Sequence, residues 1–236
     1  MMVKSVTLIF LLISKIISAQ DISIYFDSID NFFQTYVENG NVKYTDIKQN
    51  PKALIFLMKE AKKIKVSPDN SDQYKAFWIN SYNLAVISGI VKNYPVNSPM
   101  DIQGFFDKTI YEIGGNKLTL NSIENDLLRA KFLEPRFHFV LVCAAKSCPP
   151  IISKAYRPET LEKQLQQQTE KAMNNPQFVH VQKDKVLFSE IMKWYEQDFI
   201  RDGQTLIDFA NKYRKNSIPN NVDIGFYEYN WKLNEF

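Results

Sequence analysis

The sequence RFHFVLVCAAKSCPP, residues 136–150, contains both cysteines and one of only two histidines in the chain. Almost every residue from Phe137 to Cys143 is apolar, so both faces of an extended chain would be apolar there. Such a run is typical of a strand that is buried on both sides. Two prolines follow Cys148, and they end the strand because proline cannot donate a ladder hydrogen bond. The sequence therefore predicts a buried central strand with a thiol at its end.

The segment 1–19 has the layout of a secretory signal peptide. A basic residue, Lys4, precedes an apolar run over residues 6–13, and a small-residue step ends at Ala19. The run is much shorter than the roughly 20 residues that span a bilayer. We therefore expect cleavage near Ala19, export of residues 20–236 to the periplasm or the cell exterior, and no membrane span after the signal is removed.

The remaining chain, residues 20–236, is long enough for one domain with a substantial core. Loss of Lys4 and Lys15 with the signal peptide lowers the formal net charge from +3 to +1. This near-balance lacks the basic character of a nucleic-acid-binding protein, so we predict no nucleic-acid partner. The aromatic content of 14% favours a packed core over disorder.

Helical periodicity dominates the first half of the chain. Apolar residues between Ile22 and Val37 recur at spacings of three and four, which predicts an amphipathic helix. Residues 76–91, AFWINSYNLAVISGIV, are apolar nearly all round and predict a buried helix. Asn80 and Asn83 share one face of that helix, and a buried amide without partners costs about 1 to 3 kcal/mol. Either both amides hold neighbouring loop backbone, or one of them orients a catalytic group.

Two stretches have the pattern of β-hairpins. Residues 111–120 contain a Gly-Gly-Asn turn at 114–116, and residues 178–189 contain a Lys-Asp turn. His180 lies in the first strand of the second hairpin, where a histidine is usually a satisfied polar group. Together these elements predict an α+β fold, a single helix-rich domain around a small, mainly antiparallel sheet with two hairpins.

Common cofactor and catalytic signatures are absent from the sequence. The glycines form no GxGxxG motif, and no HExxH, CxxC or GxSxG motif occurs. His138, Cys143 and Cys148 are three candidate metal ligands, but five residues of regular strand would hold the first two about 16 Å apart. We therefore predict neither a metal nor a cofactor.

The residues that remain for chemistry are Cys148 as a nucleophile, His138 as its base and Glu124 as the group that orients the imidazole. A neighbouring imidazole can supply the thiolate that cysteine chemistry needs, and a carboxylate can select the histidine tautomer. A regular strand after His138 would carry Cys148 away from it, so this dyad requires either a strand that begins after His138 or a tight return of the chain. Glu124 also stands three residues after Asn121, which is the spacing of a helix capping box.

Six stretches of the sequence resemble the DUF547 family, a domain of unknown function found in exported bacterial proteins and in plants. The resemblance extends over about residues 40–234 and is carried by GNVKYTDI, AFWINSYN, GGNKLTLNSIENDLLR, PRFHFVLVCAAKSCPP, VLFSEIMKWYEQDF and YEYNWKLNEF. It implies that the family's characteristic polar positions here are Asn80, Asn83, Glu124, Arg129, His138, Cys143 and Cys148. Many members have a histidine where this chain has Asn125, and if that histidine is the family's base, His138 serves alone here.

Two functions are compatible with these residues. The first is a cysteine-dependent hydrolase or acyl transferase that acts on an amide or thioester, in an envelope peptide or a small acyl substrate. In it Cys148 attacks, His138 transfers the proton, and Asn80 or Asn83 binds the developing oxyanion. The alternative is a non-catalytic envelope binding module in which Cys143 and Cys148 form a disulfide. That bond requires the turn to bring the two Cα atoms within about 7 Å.

Overall fold

The computed structural model describes residues 22–236, and helices dominate this part of the chain. The predicted signal peptide, residues 1–19, lies outside the described residues. The α-helices are α1 (residues 22–36), α2 (Tyr44–Gln49), α3 (Lys52–Lys63), α4 (Ser71–Asn93), α5 (Leu120–Ser122), α6 (Ala130–Phe132), α7 (Leu161–Asn174), α8 (Glu190–Trp194), α9 (Glu196–Phe199) and α10 (Leu206–Asn211). A π-helical segment, Ile123–Arg129, joins α5 to α6. Short 3-10 helices cover Pro99–Asp101, Pro135–Phe139, Pro158–Thr160 and Arg201–Gly203.

Helix α4 is the central element of the fold. Its residues 76–87 are all buried, which confirms the buried helix predicted from its apolar surface. The helix begins after Asn70, whose side chain accepts a hydrogen bond from the Gln73 N–H at 3.4 Å. It ends at Asn93 because the residue before Pro95 is restricted to extended backbone. Within residues 22–236, no helix combines the length and the apolar character that crossing a bilayer requires.

The strands form three small sheets rather than one. Strands β1 (Val37–Glu38) and β2 (Asn41–Val42) pair antiparallel, as do β3 (Tyr111–Ile113) and β4 (Asn116–Leu118). The third sheet has the order β5 (Val179–Val181), β6 (Lys185–Ser189), β7 (Asp223–Tyr227), with β5 antiparallel and β7 parallel to β6. Both predicted hairpins are therefore present, and the predicted α+β class is confirmed.

Two clusters of buried apolar side chains make up the core. The first, the α4 cluster, surrounds α4 with side chains from α1, α2 and α3. The second, the β6 cluster, collects side chains from β5, β6, α8, α9 and α10. The segment 135–150 lies between them, since Phe137 belongs to the α4 cluster and Phe139 to the β6 cluster. This segment therefore joins the two halves of the core.

The predicted central strand over residues 137–143 is wrong. Its first residues form the 3-10 helix Pro135–Phe139, and the chain then continues irregularly to an isolated bridge between Ala145 and Leu233. The apolar run is nevertheless buried, because the two clusters cover it from opposite sides. A side-chain amide takes the place of a neighbouring strand, since Asn83 donates to the Val140 carbonyl and accepts from the Val142 N–H, both at 2.9 Å.

Candidate functional site

A cavity of about 270 Å³ opens beside the irregular segment that follows residue 139. We call it the aromatic cavity, because its wall includes the rings of Tyr82, Phe106, Trp194, Tyr195, Tyr229 and Trp231. Its polar lining consists of Asn121, Glu124, His138, Cys143 and Cys148. A largely apolar pocket with a few converging polar groups is the usual form of a small-molecule site. The three residues predicted as a catalytic set therefore share one cavity.

Glu124 reaches the cavity from the π-helical segment. The helix that precedes this segment is capped by Thr119, whose hydroxyl accepts a hydrogen bond from the Ser122 N–H at 3.0 Å. The capping box predicted between Asn121 and Glu124 is therefore wrong, because another residue provides the cap. This leaves the Glu124 carboxylate directed at the cavity. Single π-helical turns of this kind occur often at functional sites.

His138 is buried and held on three sides. Its Nε2 lies 2.8 Å from Oδ2 of Asp198, and its Nδ1 lies 3.9 Å from Oε1 of Glu124. The imidazole stacks on Tyr195, with 4.0 Å between ring centroids. The carboxylate that is hydrogen-bonded to the imidazole is thus Asp198. Glu124, the residue predicted for that role, lies farther away on the other side of the ring.

Asp198 is fixed by two arginines in addition to the histidine. Arg129 Nε donates to Oδ2 at 2.7 Å, and Arg201 donates to Oδ1 at 2.9 Å. Burial by itself would raise the pKa of Asp198, but the hydrogen bonds from His138 and Arg129 outweigh it and hold this pKa well below its usual range. Asp198 is therefore ionised at neutral pH and fixes the orientation of the imidazole.

The Glu124 carboxylate is buried between two tyrosines. Burial raises the pKa of the Tyr82 hydroxyl, and the nearby Glu124 carboxylate raises it further. The same two causes raise the pKa of Tyr195. Both hydroxyls stay protonated at neutral pH and can donate hydrogen bonds to the Glu124 carboxylate. The Arg129 guanidinium lies over the Tyr195 ring, 4.6 Å from its centroid.

Cys143 and Cys148 form a disulfide, and their Cα atoms are 6.2 Å apart. The irregular backbone of residues 143–148 brings these two cysteines together. Two donors contact the sulfurs, because the Cys143 N–H donates to Cys148 Sγ at 2.8 Å and the Tyr229 hydroxyl lies 3.1 Å from Cys143 Sγ. The nucleophile predicted at Cys148 is therefore not a free thiol in this structure.

Asn80 and Asn83 are both fully engaged with backbone. Asn80 Nδ2 donates to the Tyr156 carbonyl at 2.7 Å, and its Oδ1 accepts from the Tyr156 N–H at 2.9 Å. Asn83 likewise both donates to and accepts from the backbone of the segment that follows the 3-10 helix. Neither of these two described side chains lines the cavity. Of the two predicted roles, the loop-holding one fits their contacts, and the oxyanion-binding role does not.

The cavity also contains residues that the sequence analysis did not select. Trp194 and Tyr195 lie in the stretch VLFSEIMKWYEQDF, and Tyr229 and Trp231 lie in YEYNWKLNEF. Asp198, which bonds to His138 without lining the cavity, also lies in the first of these stretches. Both stretches carry the family resemblance. Their many aromatic residues, next to an acidic residue in each, are the sequence signal that could have predicted their place in the site. Within residues 22–236, no group of three or more His, Cys, Asp and Glu side chains is arranged to hold a metal ion.

Comparison with known proteins returns one family. Residues 67–171 match the family described as "Protein of unknown function, DUF547". This stretch runs from the turn before α4 almost to the end of α7, and it includes Glu124, His138 and both cysteines. Asp198 and the tryptophans of the cavity lie C-terminal to it. No curated protein and no solved structure matches the chain.

Proposed function

We propose that this chain, in which residues 67–171 form a DUF547 domain, is an exported binding protein that takes up a small ligand in the aromatic cavity. The observation that supports this function best is the disulfide between Cys143 and Cys148. Cysteine-dependent acyl transfer needs a free thiolate, and in the bridged state neither sulfur is free. The cavity then offers an aromatic wall with a few polar groups, which suits binding.

The lining indicates the chemistry of the ligand. Aromatic and aliphatic side chains together provide most of the wall, so the ligand needs an apolar body that removes their surface from water. An ionised carboxylate only accepts hydrogen bonds, and Glu124 is the carboxylate that lines the cavity. The ligand therefore carries a donor at its inner end, an amine, amide N–H or hydroxyl. The end of an envelope peptide combines an apolar side chain with such a donor.

A peptide titration tests this function. The probes are dipeptides with an apolar or aromatic first residue and a free amino terminus, each paired with its N-acetylated counterpart. We expect the free-amine peptides to change the tryptophan fluorescence of the chain, because Trp194 and Trp231 line the cavity. Acetylated peptides should bind more weakly, since acetylation removes the charge and two donor hydrogens. Absence of binding by every member of the set contradicts the proposal.

The variant Glu124→Gln should weaken peptide binding about tenfold or more, because it removes a charged acceptor from the cavity. Asp126→Asn is the matched control, since Asp126 lies on the same π-helical segment but is exposed. The control should bind like the wild type. Equal affinities for wild type and Glu124→Gln would show that the carboxylate does not contact the ligand.

A second function, a cysteine-dependent hydrolase or acyl transferase of the reduced chain, is favoured by the shared location of Cys148, His138 and Glu124 on one cavity. After reduction Cys148 attacks the acyl carbon and His138 transfers the proton, with Asp198 positioning the imidazole. Iodoacetamide labelling of reduced protein at neutral pH, with the alkylated cysteine identified by mass spectrometry, measures the reactivity of Cys148 separately from that of Cys143. Labelling should be at least tenfold slower in His138→Ala, whereas equal rates would exclude His138 as the activating base.

Export is part of the proposal and is supported by the sequence of residues 1–19. Expression of the full chain in a bacterial host, followed by mass spectrometry of the periplasmic fraction, tests it. We expect a mature chain that begins at Gln20. An uncleaved chain in the cytoplasm would contradict both the signal peptide and the envelope ligand.

A further inference from the structure

The disulfide closes a very short loop that other contacts already hold. Cys148 lies only five positions after Cys143, and short loops gain the least stability from a bridge. The Lys146 N–H donates to the Lys232 carbonyl at 2.8 Å, and the Cys148 N–H donates to the Ala145 carbonyl at 3.1 Å. Asn83 holds the start of the same loop. The fold therefore depends little on the bridge, which points to a role other than stability.

Both sulfur-bearing residues are partly exposed and lie at the surface of cavities. Cys143 and Cys148 line the aromatic cavity. Cys148 also borders a second cavity of about 510 Å³, whose polar wall includes Asn39, Asn41 and Asn230. A thiolate can attack a disulfide only where it can reach a sulfur atom. The bridge meets this condition, unlike a disulfide that is enclosed in a core.

Two hydrogen-bond donors contact the sulfurs of the bridge. The Cys143 N–H is directed at Cys148 Sγ, and the Tyr229 hydroxyl is directed at Cys143 Sγ. A disulfide sulfur is a weak acceptor, whereas a thiolate is charged and gains much more from a donor. Burial raises the pKa of Tyr229, so its hydroxyl keeps the proton that it donates. Stabilisation of the reduced form makes a disulfide a stronger oxidant.

We propose that Cys143 and Cys148 form a redox-active pair that exchanges with thiols of small molecules or peptides entering the aromatic cavity. A substrate thiolate attacks Cys143 Sγ, the S–S bond breaks, and Cys148 leaves as a thiolate beside the Cys143 N–H. A second substrate thiolate then attacks the substrate sulfur of the mixed disulfide and releases Cys143. Two substrate thiolates become one disulfide, and the two cysteines become thiolates, so the two electrons and the two negative charges pass from the substrate to the pair. This exchange needs access to the sulfurs, and it goes beyond ligand binding.

Equilibration with glutathione tests the proposal. The purified chain is incubated under native conditions in buffers that span reduced to oxidised glutathione, and free thiols are then alkylated and counted by mass spectrometry. We expect the pair to pass from bridged to reduced within this range while the protein stays folded, as judged by circular dichroism. A bridge that remains intact in folded protein at a hundredfold excess of reduced glutathione overturns the proposal.

The variant Tyr229→Phe tests whether the site shifts the redox equilibrium of the cysteine pair or only leaves the sulfurs accessible. Loss of the hydroxyl should shift the equilibrium about tenfold towards the bridged form, because the reduced state loses a donor to a charged sulfur. Tyr227→Phe, two residues away on β7, is the matched control and should stay within about twofold of wild type. Equal equilibria for all three proteins would show that Tyr229 does not stabilise the reduced pair, and they would overturn the claim that the site favours reduction. Peptide affinity, measured on the same proteins, tests the binding function separately.

Discussion

The sequence made two pairs of buried polar residues candidates for the functional site, and the two pairs differ in their contacts. The side-chain amides of Asn80 and Asn83 on α4 each donate a hydrogen bond to a backbone carbonyl and accept one from a backbone N–H. Glu124 and His138 also lie in the buried interior, but each presents its side chain to a cavity. Buried polar groups whose bonds are all made hold a fold together, whereas those facing a cavity can bind something else. The first set is therefore structural, and the second is the candidate site.

The largest expected effect is on the stability of the protein when Asn83, a member of the structural set, is replaced. Asn83→Ala leaves the Val140 carbonyl and the Val142 N–H without partners, so the free energy of unfolding should fall by about 3 kcal/mol. Asn93→Ala is the matched control, because Asn93 lies at the exposed end of the same helix and bonds only the Gly89 carbonyl. Urea unfolding measures both. Similar losses for the two variants would mean that Asn83 does not hold the loop.

A smaller effect is expected from pH at Asp198. Its pKa is lower in the folded than in the unfolded protein, so the stability it contributes is complete above the unfolded pKa of about 4. That stability falls as the pH drops towards the folded pKa, by up to about 1.4 kcal/mol for each pH unit. Asp198→Asn should therefore flatten the dependence of unfolding free energy on pH below pH 4, while Asp126→Asn should leave it unchanged. An unchanged slope in Asp198→Asn would contradict the role of its ion pairs.

The smallest effect on stability is expected in the cavity wall. Trp194 is 45% exposed and packs against Tyr229 and Trp231, so Trp194→Ala should change the unfolding free energy by less than about 1 kcal/mol. Affinity for the free-amine dipeptides should nevertheless fall about tenfold, because the ring is part of the binding surface. Calorimetry measures binding, and Ile224→Ala, an exposed residue of β7, is the control. Wild-type affinity in Trp194→Ala would place the ligand elsewhere.

Local pattern was enough to predict the elements whose stability is local. Helix α4 follows from an apolar surface that continues all round the helix, and the β3–β4 hairpin follows from a turn whose Gly114 and Gly115 have positive φ angles of 65° and 79°. The same reasoning failed for residues 137–143. An apolar run predicts burial, but it does not distinguish a strand from a 3-10 helix whose backbone is held by a distant amide.

The candidate site was predictable only in part, because some of its contacts join residues that are far apart in the sequence. Cys143 and Cys148 are close in sequence, so a turn could bring their Cα atoms together without any other element. The partner of His138 is Asp198, sixty residues further along the chain on α9, and no local pattern relates the two. Likewise, the choice between capping and cavity lining for Glu124 depended on whether Thr119 was available as the cap.

The sequence by itself therefore determined the helix-rich α+β class, the buried α4, the two hairpins and the chemical identity of a cysteine pair near a histidine. Periodicity, turn residues and short spacings express local backbone preferences, and these act before the chain is packed. Only the tertiary structure decided that two hydrophobic clusters enclose residues 135–150 and that Asp198 orients the imidazole. It also decided that four of the six aromatic rings of the cavity wall come from the C-terminal third of the chain. Those contacts join residues far apart in the chain, and their energies depend on how the two halves of the core pack together.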